Sequence, residues 1–194
     1  MITTREQLKE FLIQDAKACR HSGIKPRILG DEIWKFQYSL RNLDYQMNRT
    51  DKTILSRIPL IYWRLMYHRL SIKLNFTISD TMQIGKGFSI AHYGNVLLPS
   101  TSVIGDNFRI SDGVCIGATN GGTKTAMIGN NVFIATGAKI IGDVHIADDV
   151  AIGANAVVVK DIDIPGTTWG GVPAKLISHK NSHSNLSPLL FEEN

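Results

Sequence analysis

His92 is the residue of this sequence best placed to move a proton. It lies in the segment Ile-Ala-His-Tyr-Gly-Asn that begins at Ile90. A neutral imidazole can accept the proton of a hydroxyl group while that hydroxyl attacks a reactive carbonyl such as a thioester. The other histidines carry weaker signals, because they lie in turns, on a helical pattern or in polar stretches: His21, His68, His145, His179 and His183. We therefore treat His92 as the candidate general base and expect His145 to face solvent.

Small polar residues form a second candidate site between Ala118 and Thr125. The stretch reads Ala-Thr-Asn-Gly-Gly-Thr-Lys-Thr, which is typical of a loop that leaves a regular structure. Its glycines and lysine lack the spacing of a phosphate-binding P-loop. The alternative to a role in ligand binding is a mobile surface loop.

The elements that position both segments repeat every six residues. Each inward aliphatic is usually followed by a small residue, and fifteen of the 17 glycines lie in this half of the chain. A period of six fits neither an α-helix nor a hairpin, but it fits a parallel β-helix whose aliphatics stack from coil to coil. The first phase comprises Ile78, Ile84 and Ile90; the second comprises Ile104, Ile110, Ile116, Ile128, Ile134, Ile140, Ile146, Ile152, Val158 and Ile164.

The repeat is interrupted at both candidate sites. Ile90 belongs to the first phase and Leu98 to the second, so eight residues rather than six separate them around His92. Between Ile116 and Ile128 the aliphatic expected at position 122 is missing. A repeat that loses its regularity at these two points indicates that they serve a purpose other than stacking.

Residues 1–75 are predicted to be helical and to form a separate domain. The stretch REQLKEFLIQDAKACR places apolar residues three and four apart, with Thr3 or Thr4 available as the N-cap. Two more helical stretches follow, DEIWKFQYSLRNLDYQMNR and one that opens near Pro59. The predicted organisation is a helical domain (1–75), a β-helix (76–178) and a polar C-terminal tail (179–194).

Composition and charge exclude several classes of protein. An apolar fraction of 43% and a charged fraction of 20% argue against disorder and coiled coil. No apolar run is long enough to span a membrane and the N-terminus does not resemble a signal peptide, so we expect a cytoplasmic protein. Residues 1–73 carry 14 Lys/Arg against 7 Asp/Glu, yet no nucleic-acid-binding signature accompanies them. Cys19 and Cys115 are too few for a disulfide framework or a thiolate metal site.

The repeats resemble the hexapeptide acyltransferases, in particular serine acetyltransferases and the related sugar O-acetyltransferases of capsule and lipopolysaccharide. The resemblance covers roughly residues 58–178. It implies a left-handed β-helix of triangular section, acetyl-CoA as co-substrate without a metal, and direct acetyl transfer with His92 as the base. It also implies a homotrimer with the coenzyme between neighbouring β-helices. The helical domain could join two trimers, and a peripheral membrane contact through it is the less favoured alternative.

The same resemblance assigns further site residues. Around His92, the acceptor would be bound by Tyr93, Asn95 and Asp112. The pantetheine of the coenzyme would lie along small corner residues and its nucleotide end near two lysines. These cofactor residues are Ala118, Thr136, Gly137, Ala154, Lys160 and Lys175. The group that orients His92 is open, with Asp80 and Thr77 as candidates.

The acceptor predicted from these residues is a sugar hydroxyl on a polysaccharide, glycolipid or nucleotide sugar, with free serine as the alternative. Serine acetyltransferases have an Asp directly before the histidine, another fifteen residues upstream and an Arg-His-Pro segment after the glycine-rich loop. Here those positions hold Ala91, Thr77 and the stretch 123–126. Two readings from other classes are a γ-type carbonic anhydrase, which needs three histidines at one zinc ion, and a non-catalytic scaffold.

Overall fold

Three helices open the chain in the computed structural model, which describes residues 1–50 and 57–192. They are α1 (Arg5–Ala18), α2 (Glu32–Asn48) and α3 (Arg57–Leu74). Thr4 caps α1 through a capping box with Gln7, which satisfies free amides of the first turn. Residues 51–56 of the predicted helical domain and 193–194 of the predicted tail lie outside the described residues. Within the described part of the chain, no helix is both long and apolar enough to cross a membrane.

Fifteen short strands follow, and all but the last pair in parallel. They wind through about five coils and stack into three sheets. Sheet 1 contains β1 (Phe76–Ile78), β4 (Val96–Leu98), β7 (Cys115–Gly117), β10 (Lys139–Ile141) and β13 (Val157–Val158). Sheet 2 contains β2 (Gln83–Ile84), β5 (Val103–Ile104), β8 (Met127–Ile128) and β11 (His145–Ile146). Sheet 3 contains β3 (Ser89–Ile90), β6 (Arg109–Ile110), β9 (Phe133–Ile134), β12 (Ala151–Ile152), β14 (Thr168–Gly170) and β15 (Lys175–Ser178).

The strand register confirms both interruptions of the repeat. The coil from Leu97 to its partner Cys115 contains three hexads, whereas the coil from Ser89 to its partner Arg109 is two residues longer. The two extra residues therefore lie between β3 and β4. The coil from Val103 to its partner Met127 contains four hexads instead of three. The added hexad lies between β7 and β8. Because the core aliphatics remain buried on either side of both insertions, the coils extrude the extra residues.

The prediction that Ile164 points into the core is wrong. Ile164 is 47% exposed, and Ile162, 1% exposed, takes the inward position by pairing with Ile146. A coil of three full hexads would have paired Ile146 with Ile164, so the last coil is two residues short at this sheet. The strict period of six therefore fails where the β-helix ends.

A buried ion pair joins the helices to the first coil. Asp15 of α1 and Arg41 of α2 are fully or almost fully buried, and Arg41 Nε lies 2.7 Å from Asp15 Oδ2. Arg41 also donates to the carbonyl oxygens of Ile84 (2.8 Å) and Gly85 (2.5 Å), and Asp15 accepts from the amide of Phe88 (2.9 Å). Because these bonds reach both sides of the turn into β3, the helices fix the strand that leads to His92.

The C-terminal stretch, predicted as a polar tail, packs back on the coils. Ser182 donates its amide to the carbonyl oxygen of Asp149 (3.0 Å), and His183 Nε2 lies 2.7 Å from the Asp149 carboxylate. Leu186 is 2% exposed between two short 3-10 turns, His183–Asn185 and Pro188–Leu190. The buried leucine explains why a mostly polar segment is ordered here.

Candidate active site

Four of the predicted catalytic and binding residues lie along one edge of the β-helix. At the corner where sheet 3 turns into sheet 1, the residue two positions after each inward isoleucine projects from the coil. The register of Ile90, Ile110, Ile134 and Ile152 stacks these corner residues in successive coils. In order they are His92, Asp112, Thr136 and Ala154. The structure thus places four residues that are far apart in sequence on one edge, which we call the His92 edge.

The loop that carries His92 is the two-residue insertion itself. Residues 91–95 connect β3 to β4, and His92 and Tyr93 are exposed. Gly94 has φ +143°, and a Cβ built there would lie 2.9 Å from Asp112 Cβ. A glycine is therefore needed at this position to seat the loop against Asp112. Asn95 is exposed in the same loop.

The His92 ring has no hydrogen-bond partner among residues 1–50 and 57–192. In that part of the chain, neither Asp80 nor Thr77, the two candidates for orienting it, bonds to the ring. Both ring nitrogens are therefore available to an incoming molecule.

Hydrogen bonds hold the middle of the His92 edge rigid. Thr136 Oγ1 donates to Asp112 Oδ1 (2.7 Å), and the Gly137 amide donates to the Asp112 carbonyl oxygen (2.9 Å). Gly137 has φ +72°, and a Cβ there would lie 2.1 Å from Asn155 Oδ1. Asp112 is thus fixed beside the histidine loop, and Asn155 packs closely against Gly137.

Lys139 is a member of this site that sequence reasoning missed. Its ammonium group donates to the carbonyl oxygens of Gly137 (2.9 Å) and Gly113, both at the His92 edge. It points outward from sheet 1 beside Cys115, with which its backbone is paired. In the sequence, Lys139 is visible only as a positively charged residue within the repeat. The strand register is needed to show that it lies next to the His92 edge.

The predicted coenzyme residues divide between two edges of the chain. Thr136, Gly137 and Ala154 lie on the His92 edge. Ala118 lies at the corner between sheets 1 and 2, where the register stacks it in the same column as Lys160. Lys160 and Lys175 come together around a cavity of about 390 Å³ at the C-terminal end of the β-helix, which Trp169 and Pro173 also line. One chain therefore does not bring Ala118 to Thr136.

The remaining chemistry-bearing residues lie elsewhere. His145 is exposed as expected, and its Nδ1 lies 3.3 Å from Asp163 Oδ1. Both cysteines are free thiols. Across the described ranges 1–50 and 57–192, no group of three or more His, Cys, Asp or Glu residues is placed to hold a metal ion.

Comparison with known proteins confirms the repeat and the fold. Residues 125–160 match the family model described as bacterial transferase hexapeptide (six repeats). The serine acetyltransferase of Brucella abortus strain S19, solved in complex with coenzyme A, superposes with a TM-score of 0.67. The alignment covers 90% of this chain and 67% of that one at 22% identity, a likeness that speaks to the fold. The fold is therefore a left-handed β-helix of hexapeptide repeats preceded by helices, as the sequence predicts.

Serine acetyltransferases are among the relatives found by sequence. The enzyme of Helicobacter pylori strain J99 is 41% identical over 98 residues, which are 50% of this chain and 57% of the relative. The enzyme of Synechococcus elongatus is 32% identical over 123 residues, 62% of this chain and 50% of the relative. The chain thus spans about half the length of the relatives it matches. These matches favour serine, the alternative acceptor, and give no support to a sugar or to polysaccharide synthesis.

Proposed function

We propose that this hexapeptide-repeat protein is an acetyl-CoA-dependent O-acetyltransferase whose acceptor is the hydroxyl group of serine. One observation carries the proposal: the insertion in the repeat presents an exposed histidine beside the Asp112–Thr136 corner, and no described residue hydrogen-bonds to its ring. The relatives that share the repeats are serine acetyltransferases, which supports the same reaction.

The reaction needs one proton acceptor and no covalent enzyme intermediate. His92 takes the proton of the acceptor hydroxyl as its oxygen attacks the thioester carbonyl carbon of acetyl-CoA. When the tetrahedral intermediate collapses, the C–S bond breaks and the imidazolium returns the proton to the departing thiolate. Hydrogen-bond donors between the neighbouring β-helices would stabilise the negative charge on the carbonyl oxygen of the intermediate. The products are the O-acetyl ester and free coenzyme A.

The coenzyme would lie along the His92 edge. Thr136 and Ala154 are small, exposed corner residues on either side of Gly137, as a narrow pantetheine arm requires. The cavity that Lys160 and Lys175 line offers cations to the phosphates at the nucleotide end. Because Ala118 and Lys160 share a different edge, they reach the same coenzyme only from a neighbouring chain. We therefore propose a homotrimer, which the helical domain could pair into a hexamer; sedimentation velocity measures the number of chains directly. The cytoplasmic location stays a prediction from the sequence.

The test is an acceptor screen with purified protein and acetyl-CoA. Thiol release is followed with a disulfide dye, and products are identified by mass spectrometry. L-Serine, neutral hexoses, uronic acids, nucleotide sugars and oligosaccharides form the panel. We expect acetylated serine to be the main product. Turnover of a neutral sugar with none of serine would overturn the acceptor, and absence of thiol release with the whole panel would overturn the enzyme assignment.

A further inference from the structure

A cavity of about 340 Å³ lies between the helices and sheet 3, next to the His92 loop. Its walls come from the end of α1, the start of α2 and the strands β3 and β6. Ala91 and Tyr93, which flank His92, line the cavity at one end. A molecule held in this space would therefore lie against the catalytic loop.

One hydrogen-bond donor in the wall of this cavity lacks an acceptor. Arg109 of β6 is half-buried, and its guanidinium has no hydrogen-bond or ion-pair partner within 1–50 and 57–192. The indole N–H of Trp34 also lacks an acceptor in that part of the chain, but its nitrogen atom is covered and cannot be reached from the cavity. A guanidinium that has lost part of its hydration without gaining a protein partner is available to an anionic ligand.

The other charged groups that line the cavity are already engaged, so none of them serves Arg109. Asp31 accepts two hydrogen bonds from the Arg27 side chain and a third from the Arg27 amide. The Arg27 guanidinium and then His21 hold the pKa of Asp31 below its usual range. Burial and the nearby Arg20 lower the pKa of Arg109. The existing pairs are His21–Asp31 (2.8 Å), Arg27–Asp31 (2.5 Å), Lys35–Glu32 (3.5 Å) and Lys73–Glu32 (3.3 Å).

The register sets the distance between Arg109 and His92. Arg109 is paired with Ser89 in the neighbouring coil, and Ser89 precedes His92 by three residues. Three residues of extended chain span at most ~10 Å, and neighbouring strands lie about 5 Å apart, so the backbones of Arg109 and His92 are at most ~15 Å apart. A long arginine side chain and a small bifunctional molecule together bridge such a gap. The carboxylate end would meet the guanidinium while the hydroxyl end meets the histidine.

We propose that Arg109 binds a carboxylate of the acceptor and so selects hydroxy acids over neutral alcohols. A guanidinium binds a carboxylate through two parallel hydrogen bonds. The inference rests on the proposed function, because it assigns a binding residue to the same site. The carboxylate belongs to a free amino acid such as serine or to a uronic acid of a glycan.

The kinetic test compares Arg109→Gln with Arg20→Gln, an exposed neighbouring arginine that does not line the cavity. Loss of a charged hydrogen bond, worth about 1.5–3 kcal/mol, predicts a KM for L-serine that is roughly 10- to 150-fold higher in Arg109→Gln. The KM for acetyl-CoA should stay constant. The wild-type protein should discriminate against serinamide, which lacks the carboxylate, and Arg109→Gln should lose that discrimination. Equal discrimination in both proteins overturns the proposal.

A binding test keeps this inference separate from the proposed reaction. Calorimetry measures binding of L-serine and of glucuronate to the wild-type protein, Arg109→Gln and Arg109→Lys without acetyl-CoA. We expect one of the two carboxylates to bind the wild type, to bind Arg109→Lys less tightly and not to bind Arg109→Gln. Such binding without any acetyl transfer would refute the reaction but keep the site. Binding that is equal in all three proteins, or absent from the wild type, would refute the site even if serine is acetylated.

Discussion

Replacing Asp15 by alanine should cost far more stability than any exposed contact between the helices and the coils. The substitution leaves the Arg41 guanidinium, whose side chain is 4% exposed, with only the carbonyl oxygens of Ile84 and Gly85 as acceptors. It also removes the acceptor of the Phe88 amide. Breaking a buried pair by removing one partner costs about 3–5 kcal/mol, and an orphaned buried amide contributes about 1–3 kcal/mol. On these magnitudes we expect a loss of about 4 kcal/mol or more in the free energy of unfolding.

The matched control is Glu10→Ala, which removes a second ion pair between α1 and the first coil. Lys86 Nζ lies 2.6 Å from Glu10 Oε1, but these side chains are 37% and 52% exposed. An exposed pair contributes ~0.2–1 kcal/mol. Urea unfolding followed by circular dichroism should separate the two variants clearly. If Asp15→Ala loses no more stability than Glu10→Ala, the buried pair does not anchor the helices and our reasoning is wrong.

The double variant Asp15→Leu, Arg41→Met examines the source of that loss. Burial raises the pKa of Asp15 against the opposing charge of Arg41, so the pair is not itself a large source of stability. The loss of stability in Asp15→Ala comes mainly from leaving the buried Arg41 guanidinium without its carboxylate partner. The double variant should therefore be more stable than Asp15→Ala in the same urea titration.

Two further predictions concern backbone geometry and a thiol. Gly137→Ala should lower the free energy of unfolding by at least ~1 kcal/mol more than the control Gly121→Ala. Both glycines have positive φ (+72° and +69°), but of the two only Gly137 lacks room for a Cβ. Equal losses of stability in urea unfolding would refute the steric argument. Burial raises the pKa of Cys19 to about 12. In a Cys115→Ser background its alkylation by iodoacetamide should therefore still rise about tenfold per pH unit from pH ~8 to ~10, whereas a rate that levels off near pH ~9 would show an ordinary thiol.

The regular part of the fold was predictable because each hexad is a local signal. Ile104 to Val158 keep one phase, and a phase change alone located the loop of His92. Ile164 failed because the last coil is two residues shorter, and only the pairing of Ile162 with Ile146 shows this. The six-residue period identifies the residues that point inward. It does not show at which of the three edges of the β-helix the residues after them lie. That is why Ala118 was grouped with Thr136, although the two lie on different edges.

The cavity at Arg109 could not be predicted for a different reason. Its walls combine the end of α1 with two strands from successive coils, so it depends on how the helices dock. That docking depends on Asp15 and Arg41, whose roles emerge only when both are seen to be buried together. In the sequence, Arg109 was one more charge in a repeat. Long-range packing, unlike a six-residue period, leaves no pattern in a single sequence.

The central claim is that His92 accepts the proton of the acceptor hydroxyl, and His92→Asn tests it most directly. The measurement is the steady-state rate of thiol release from acetyl-CoA with L-serine, beside His145→Asn, which alters the exposed histidine on sheet 2. Loss of a general base costs ~10²–10⁴-fold in rate, so kcat should fall by at least ~100-fold in His92→Asn, while coenzyme binding and His145→Asn stay at wild-type values. A His92→Asn protein that releases thiol at the wild-type rate would contradict the account.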